Sequence, residues 1–205
     1  MGTSAVRGVG AGSLAGEMTP DQVLREVAGI LSRSDIPYMV TGSFASSMLG
    51  LPRSTRDLDV VVDPQSHQVG DLYGAFDPNS WYIDALVVRD AFERRSMFNA
   101  VHLESGWKVD VIFRKDRAWS REEFSRRTPL VVGNVPVMFL RAEDSILSKL
   151  EWVRQGGSLR QIEDAGTVLD VQGDALDFAY LEKWAAEIGV SDLLERIRSG
   201  REPRE

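Results

Sequence analysis

The chain has 205 residues and a formal net charge of −7, with 24 Lys and Arg against 31 Asp and Glu. That balance argues against a broad nucleic-acid-coating surface, because non-specific affinity comes from neutralising phosphates with basic side chains, although it leaves room for a local basic groove. The absence of cysteine removes disulfide scaffolds, thiolate metal sites and cysteine nucleophiles, and favours a cytoplasmic chain.

No apolar run approaches membrane-spanning length and the N-terminus shows no apolar signal core, so no membrane association is expected. The length fits one domain of ordinary size or one with a smaller appendage.

Residues 1–17 are rich in Gly, Ala and Ser without periodicity and read as a flexible tail. Thr19-Pro20-Asp21 carries a capping hydroxyl, a proline at the first helical position and an acid in the first turn, the signature of a helix start. Val23, Leu24, Val27, Ile30 and Leu31 then share one face, which predicts a helix packed on a sheet.

Tyr38 to Asp63 reads as strand, tight turn, short helix, loop and strand. The apolar run Tyr38 to Thr41 stops at Gly42-Ser43, small residues continue to Leu49-Gly50, and Leu58 to Val62 is a second, β-branched run. Asp57 and Asp59 open that second strand. Strand side chains alternate faces, so the two carboxylates point the same way with Cα atoms roughly 6.5–7 Å apart. Anionic groups held side by side repel unless a cation sits between them, which points to metal chemistry. Asp63, before Pro64, reads as a turn-forming acid.

A helix is expected around His67 to Phe76, a Pro-Asn turn at 78–79 and another helix from Val87 to Arg95. Met97 to Leu103 and Trp107 to Phe113 read as an antiparallel pair turning at Ser105-Gly106. In the second of these, Val109, Val111 and Phe113 share one face, so Asp110 is an acid in an otherwise buried strand and needs a partner or a metal. His67 and His102 stand alone, without ligand-like spacing.

Arg114 to Arg127 carries an excess of basic residues in a helical or loop segment and reads as a solvated face. Pro129 to Phe139 reads as a last hairpin turning at Gly-Asn. From Arg141 the period is helical: Ile146, Leu147, Leu150 and Val153 form one stripe, Gly156-Gly157 ends that helix, and Ile162, Ala165 and Leu169 begin the next. Two further helices run through Leu181 to Ile188 and Leu193 to Ile197. Lys149 flanks the first stripe, where a lysine often extends its head to water. Trp107, Trp152 and Trp184 sit in patterned elements and read as core. The pattern predicts a mixed α/β core over 18–139, a helical subdomain over 140–199 and a short tail at 200–205.

The Gly-Ser turn, the Asp-x-Asp strand start and a third Asp in a later strand resemble the active-site pattern of the DNA polymerase β-like nucleotidyltransferase superfamily. The resemblance implies an α+β fold, a mixed sheet flanked by helices with a helical C-terminal part. It also implies an NTP donor and a two-metal Mg²⁺ site: Asp57 and Asp59 would bridge the metals and Asp110 would complete the site on the nucleophile side. Gly42 and Ser43 would bring backbone amides and a hydroxyl to the triphosphate.

Closer in, GSFASSMLGLPRSTRDLD resembles the GSx…RxTxDxD motif of AbiEii-type nucleotidyltransferases, the toxin half of abortive-infection and toxin–antitoxin pairs. That match adds Arg53 and Thr55 to the nucleotide-binding set. Arg53 and Arg56 could clamp phosphate or neutralise the carboxylates. EDSILSKLEWVRQGGSLRQIEDAGTVL is similar to the second motif of that family, which implies Lys149 at the triphosphate or substrate and Asp164 orienting the basic groups or supporting the site. Here Glu163 stands between Arg160 and Asp164, and the C-terminal part is shorter than in the larger toxins. The acceptor implied is a hydroxyl of RNA, tRNA or protein, with an antitoxin as possible protein partner. A small-molecule modifier of the antibiotic type, and a non-catalytic antitoxin-like module with the same fold, are the alternatives.

Overall fold

The computed structural model describes residues 18–52, Thr55 and residues 57–200. The expected tail over 1–17 and the arginines Arg53 and Arg56 lie outside the described residues. The chain opens with α1 (Pro20–Arg33), started as its sequence demands. Thr19 Oγ1 accepts from Gln22 N–H at 3.3 Å while Gln22 Oε1 accepts from Thr19 N–H at 2.7 Å, a reciprocal capping box. Val23, Leu24, Val27 and Leu31 are buried along its inner face.

Next come β1 (Tyr38–Thr41), α2 (Gly42–Leu49) and β2 (Asp57–Val62), followed by a 3₁₀ turn at Ser66–Gln68 and α3 (Val69–Gly74). β3 (Trp81–Tyr82) is a two-residue edge strand that the sequence pattern does not announce. α4 (Ala85–Glu93) starts two residues before the expected point because Asp84 caps it, accepting from the N–H groups of Leu86 and Val87. β4 (Met97–His102) and β5 (Lys108–Phe113) form the expected antiparallel pair. α5 (Ala118–Ser125) and the hairpin β6 (Thr128–Val132) and β7 (Val135–Phe139) lead to the helices α6 (Ala142–Arg154), α7 (Arg160–Gln172), α8 (Phe178–Glu187) and α9 (Ser191–Ser199). None of the described helices is long and apolar enough to cross a membrane.

The seven strands form one mixed sheet in the order β3-β4-β5-β2-β1-β7-β6. β1 and β2 are antiparallel, whereas β2 pairs with β5, and β1 with β7, in parallel. Parallel neighbours need long crossovers, and the segment from α3 to β4 provides the one between β2 and β5. The α+β class is therefore as the sequence pattern predicts. Apolar residues gather in two clusters: one joins the sheet with α1, α3 and α4, and the other joins α6, α7, α8 and α9 with Trp119 of α5.

The arginines between 114 and 127 correct the expectation of a solvated face. Arg117 grips both oxygens of Glu151 on α6, with Nη2 2.6 Å from Oε2. Arg126 lies 3.2 Å from Glu143 and stacks over the Tyr180 ring, and Arg114 donates to Asp63 at 2.8 Å. Asp63 is thus an ion-pair acceptor rather than only a turn former. Ser148 donates to the buried Glu123 at 3.0 Å. Burial, reinforced by the nearby charge of Asp144, pushes the Glu123 carboxyl up to about 8. Burial likewise pushes Asp144 up to about 6, against the Tyr180 hydroxyl, which donates to it at 2.5 Å.

Candidate active site

β1 ends where the chain must turn back over the sheet, and Gly42 takes that turn with φ +66, a left-handed conformation that suits glycine. A Cβ at this position would fall 1.9 Å from Asp59 Oδ2, so the Asp59 carboxylate occupies the space that any other residue would need. Thr41 pairs with Asp59 across the antiparallel β1 and β2, which sets that approach. The Ser43 backbone N–H hydrogen-bonds the Asp59 carboxylate, and the hydroxyls of Ser46 and Ser47 donate to the Ser43 carbonyl at 3.1 and 2.8 Å.

The parallel pairing of β2 and β5 places Asp59 beside Asp110 in register, and Asp57 beside Lys108. Leu58 and Val60 of β2 and Val109 and Val111 of β5 are buried on the opposite face, so the pleat itself turns the acids away from the core. Burial first, and the charge of Asp110 second, push the Asp59 carboxyl up to about 6, while Lys149 and the Ser43 amide pull it back down. Asp57 is exposed at the strand entrance, braced through its backbone: its N–H lies 3.4 Å from Thr55 Oγ1 and its carbonyl 3.3 Å from the same hydroxyl. Thr55 therefore shapes the loop that delivers Asp57.

Asp110 has two partners that the sequence reading missed. Asn99, directly opposite on β4, donates to Asp110 Oδ1 at 2.6 Å. Lys108 Nζ lies 3.0 Å from Oδ1 and 3.2 Å from Oδ2. The hydrogen bond to Asp110 is the leading reason the Lys108 ammonium is held above its ordinary pKa. Lys108 was within reach of the sequence, being two residues away on the same face, but Asn99 was not: a two-residue turn at Ser105-Gly106 would set Val101 opposite Asp110, whereas the observed register pairs Asp110 with Asn99.

Lys149 does not extend to water. It is 5% exposed, and its Nζ lies 2.9 Å from Asp164 Oδ2 on α7 and 3.4 Å from Ser43 Oγ at the head of α2. Asp164 is buried as well. The far end of α2 is tied to α7 too, because Gln172 Nε2 donates to the Leu49 carbonyl at 2.7 Å. A Cβ on Gly50 would press to 2.9 Å from Thr167 Oγ1, so only a glycine lets α2 end this close to α7. The structure thus brings Gly42, Ser43, Asp59, Asp110 and Lys149 together at one end of the central strands β1, β2 and β5, with Asp57 at the rim and Asp164 behind Lys149.

Among the described residues, no three His, Cys, Asp or Glu side chains converge as a ready-made metal cage. The donor chemistry nevertheless fits a hard divalent cation: the oxygens of two acids stand in register, a third acid lies two residues along, and a cation, the Lys108 ammonium, already sits on Asp110. Trp152 corrects the sequence expectation, being 59% exposed rather than core, whereas Trp184 is buried. His102 is buried in β4, where its Nδ1 meets Ser105 Oγ at 2.8 Å.

No protein-family model and no curated protein matches this sequence. The fold does match solved structures. A nucleotidyltransferase-like antigenic protein from Paracoccidioides brasiliensis is 17% identical, with a TM-score of 0.52 over 85% of this chain and 91% of that one. ANT(2")-Ia, solved in complex with adenylyl-2"-tobramycin, is 15% identical, with a TM-score of 0.54 over 90% of this chain and 100% of that one. The chain therefore has the fold of nucleotidyltransferase-like proteins.

Proposed function

We propose that the chain is a Mg²⁺-dependent nucleotidyltransferase that moves a nucleoside monophosphate from an NTP to a hydroxyl acceptor. The observation that carries this reading is the in-register pair Asp59 and Asp110 facing the Gly42-Ser43 turn. Asp57, Asp59 and Asp110 are the residues that would hold Mg²⁺. When bound, the cation neutralises triphosphate charge and activates the attacking hydroxyl.

The rest falls to the chain. Gly42 admits the phosphates close to the backbone, while the Ser43 hydroxyl and the Lys149 ammonium face the same strand ends as hydrogen-bond and charge donors. Arg53, Thr55 and Arg56, just ahead of Asp57 in the sequence, complete the nucleotide-binding set. The acceptor oxygen bonds to the α-phosphorus, the bond from that phosphorus to the bridging oxygen breaks, pyrophosphate leaves, and Asp110 takes the hydroxyl proton. Positioning and charge stabilisation supply most of the rate, as is general in phosphoryl transfer.

The acceptor class favoured is RNA, tRNA or protein, in the manner of an AbiEii-type toxin held by an antitoxin. The support is the pairing of Lys149 with Asp164, the two residues of the helical motif on which that resemblance rests. A small-molecule acceptor is the second reading. It is favoured by the fold match to ANT(2")-Ia, solved in complex with adenylyl-2"-tobramycin, over 90% of this chain and 100% of that one.

The experiment is a Mg²⁺-dependent incubation with each of the four α-labelled NTPs and total bacterial RNA, with Asp57→Ala and Asp59→Asn alongside. Label moving to RNA from one NTP, and only with the unsubstituted chain, is expected. A folded Asp59→Asn chain that transfers at the original rate sinks the assignment, and label reaching a cationic antibiotic but not RNA moves the acceptor to the second reading.

A further inference from the structure

The face of α6 that carries Lys149 toward Ser43 also carries Trp152. Residues three apart on a helix are neighbours, with Cβ atoms about 5–6 Å from one another. Trp152 therefore stands about one helical turn further along α6 than the lysine whose Nζ is 3.4 Å from Ser43 Oγ, on the side of the α6–α7 connection. The apolar stripe of this helix is elsewhere: Ile146, Leu147 and Leu150 are fully buried, whereas Trp152 exposes 59% of its surface. What singles this indole out is its place: it is exposed one helical turn along α6 from the lysine that faces Ser43.

The ring is also braced. Gly156 turns the chain with φ +93, and Gly157 returns its N–H to the Trp152 carbonyl at 2.9 Å. A Cβ on Gly157 would fall 2.3 Å from Trp152 Cδ1 and 2.8 Å from Nε1, so the edge of the indole rests against bare backbone. One side of the ring is thereby supported while the rest faces solvent. A planar group held in this way loses little freedom when a second planar group stacks on it.

Resting on the nucleotidyltransferase reading, we propose that Trp152 is the stacking platform for the nucleobase of the NTP. The triphosphate then lies along Ser43 and Lys149, and the base extends one turn further along α6. Every base offers a π-face, so such a platform favours purines by stacking strength and leaves stricter base choice to other contacts.

The test is calorimetry on the full chain with Mg²⁺, using ATP, UTP and inorganic tripolyphosphate as ligands, for the unsubstituted protein, Trp152→Ala and Trp152→Phe. Trp152→Ala should bind ATP about tenfold more weakly, lose less for UTP, and bind tripolyphosphate unchanged, while Trp152→Phe keeps most of the ATP affinity. In turnover the alanine change should raise KM and leave kcat near its original value. Equal ATP affinity in the unsubstituted chain and Trp152→Ala overturns the proposal, as does a parallel loss for ATP and tripolyphosphate. An unsubstituted chain that binds neither ligand overturns the nucleotidyltransferase reading, and the platform with it.

Discussion

The carboxylate of Asp59 fills the volume that a side chain on residue 42 would require, with even the Asp59 Cβ only 2.7 Å from a Cβ built on Gly42. Backbone turn and candidate metal ligand are therefore one fitted unit. Gly42→Ala should lose stability by about 2 kcal/mol or more, from the left-handed φ and from overpacking. On the proposed function, its rate of nucleotidyl transfer should fall about 100-fold through displacement of Asp59. Urea unfolding and initial-rate assays check the two effects, and a variant with unchanged rate would separate the glycine from the chemistry.

Lys149 and Asp164 make a buried ion pair at 2.9 Å. Removing one charge leaves the other buried, so Lys149→Met or Asp164→Leu alone should cost about 3–5 kcal/mol, whereas the double substitution should recover most of that loss. The double variant should still be inactive, because the charge beside Ser43 is gone. A double-mutant cycle by urea denaturation, with activity measured on each folded variant, distinguishes a positioning pair from a purely structural one.

Glu123 holds its proton more tightly in the folded chain than in the unfolded one, where it titrates near 4.5. The folded state then binds more protons between that value and about 8, so stability falls as pH rises through this window and levels off above it. Asp144 and Asp59, raised to about 6, add the same sign only at lower pH. Of these three carboxyls, Glu123 accounts for most of the change between pH 6 and 8, and Glu123→Gln should remove about 2 kcal/mol of pH dependence there. Urea midpoints at pH 6 and pH 8 are the measurement, and an unchanged slope would mean that the carboxyl ionises freely.

Lys108 stands on Asp110 where a divalent cation would compete with it. Its side chain is partly exposed, so solvent screens the repulsion, and removing it should be worth about 1 kcal/mol to the incoming ion. Lys108→Met should therefore bind Mg²⁺ roughly fivefold more tightly by calorimetry. Weaker binding would show instead that Lys108 organises Asp110.

What the sequence disclosed follows from what periodicity reports. The strand, turn, helix and strand between Tyr38 and Asp63 were legible because small residues and β-branched runs announce themselves locally, and strand alternation alone placed Asp57 and Asp59 on one face. β3 was not legible, since two residues carry no period and Trp81 and Tyr82 form a strand only by pairing with His102 and Val101. Lys149 at the edge of a stripe looked like a residue bound for solvent, because its partner Asp164 sits on another helix. The same limit hid the arginines of α5 and its flanks, whose acids Glu151, Glu143 and Asp63 lie far along the chain. Trp152 reversed the expectation for a like reason: a stripe gives the apolar face, not which neighbouring residue is left uncovered.

The parallel pairing of β2 with β5 bears on how the chain is made. Asp59 and Asp110 meet only after α3, β3, α4 and β4 have been laid across the sheet, a closure of high contact order that belongs among the slower steps of folding. A nascent chain that has formed β1, α2 and β2 holds half of the acidic pair and the whole glycine turn, yet it has no partner carboxylate. The acidic pair thus exists only in the completed sheet, and the emerging polypeptide lacks it until the fold is closed.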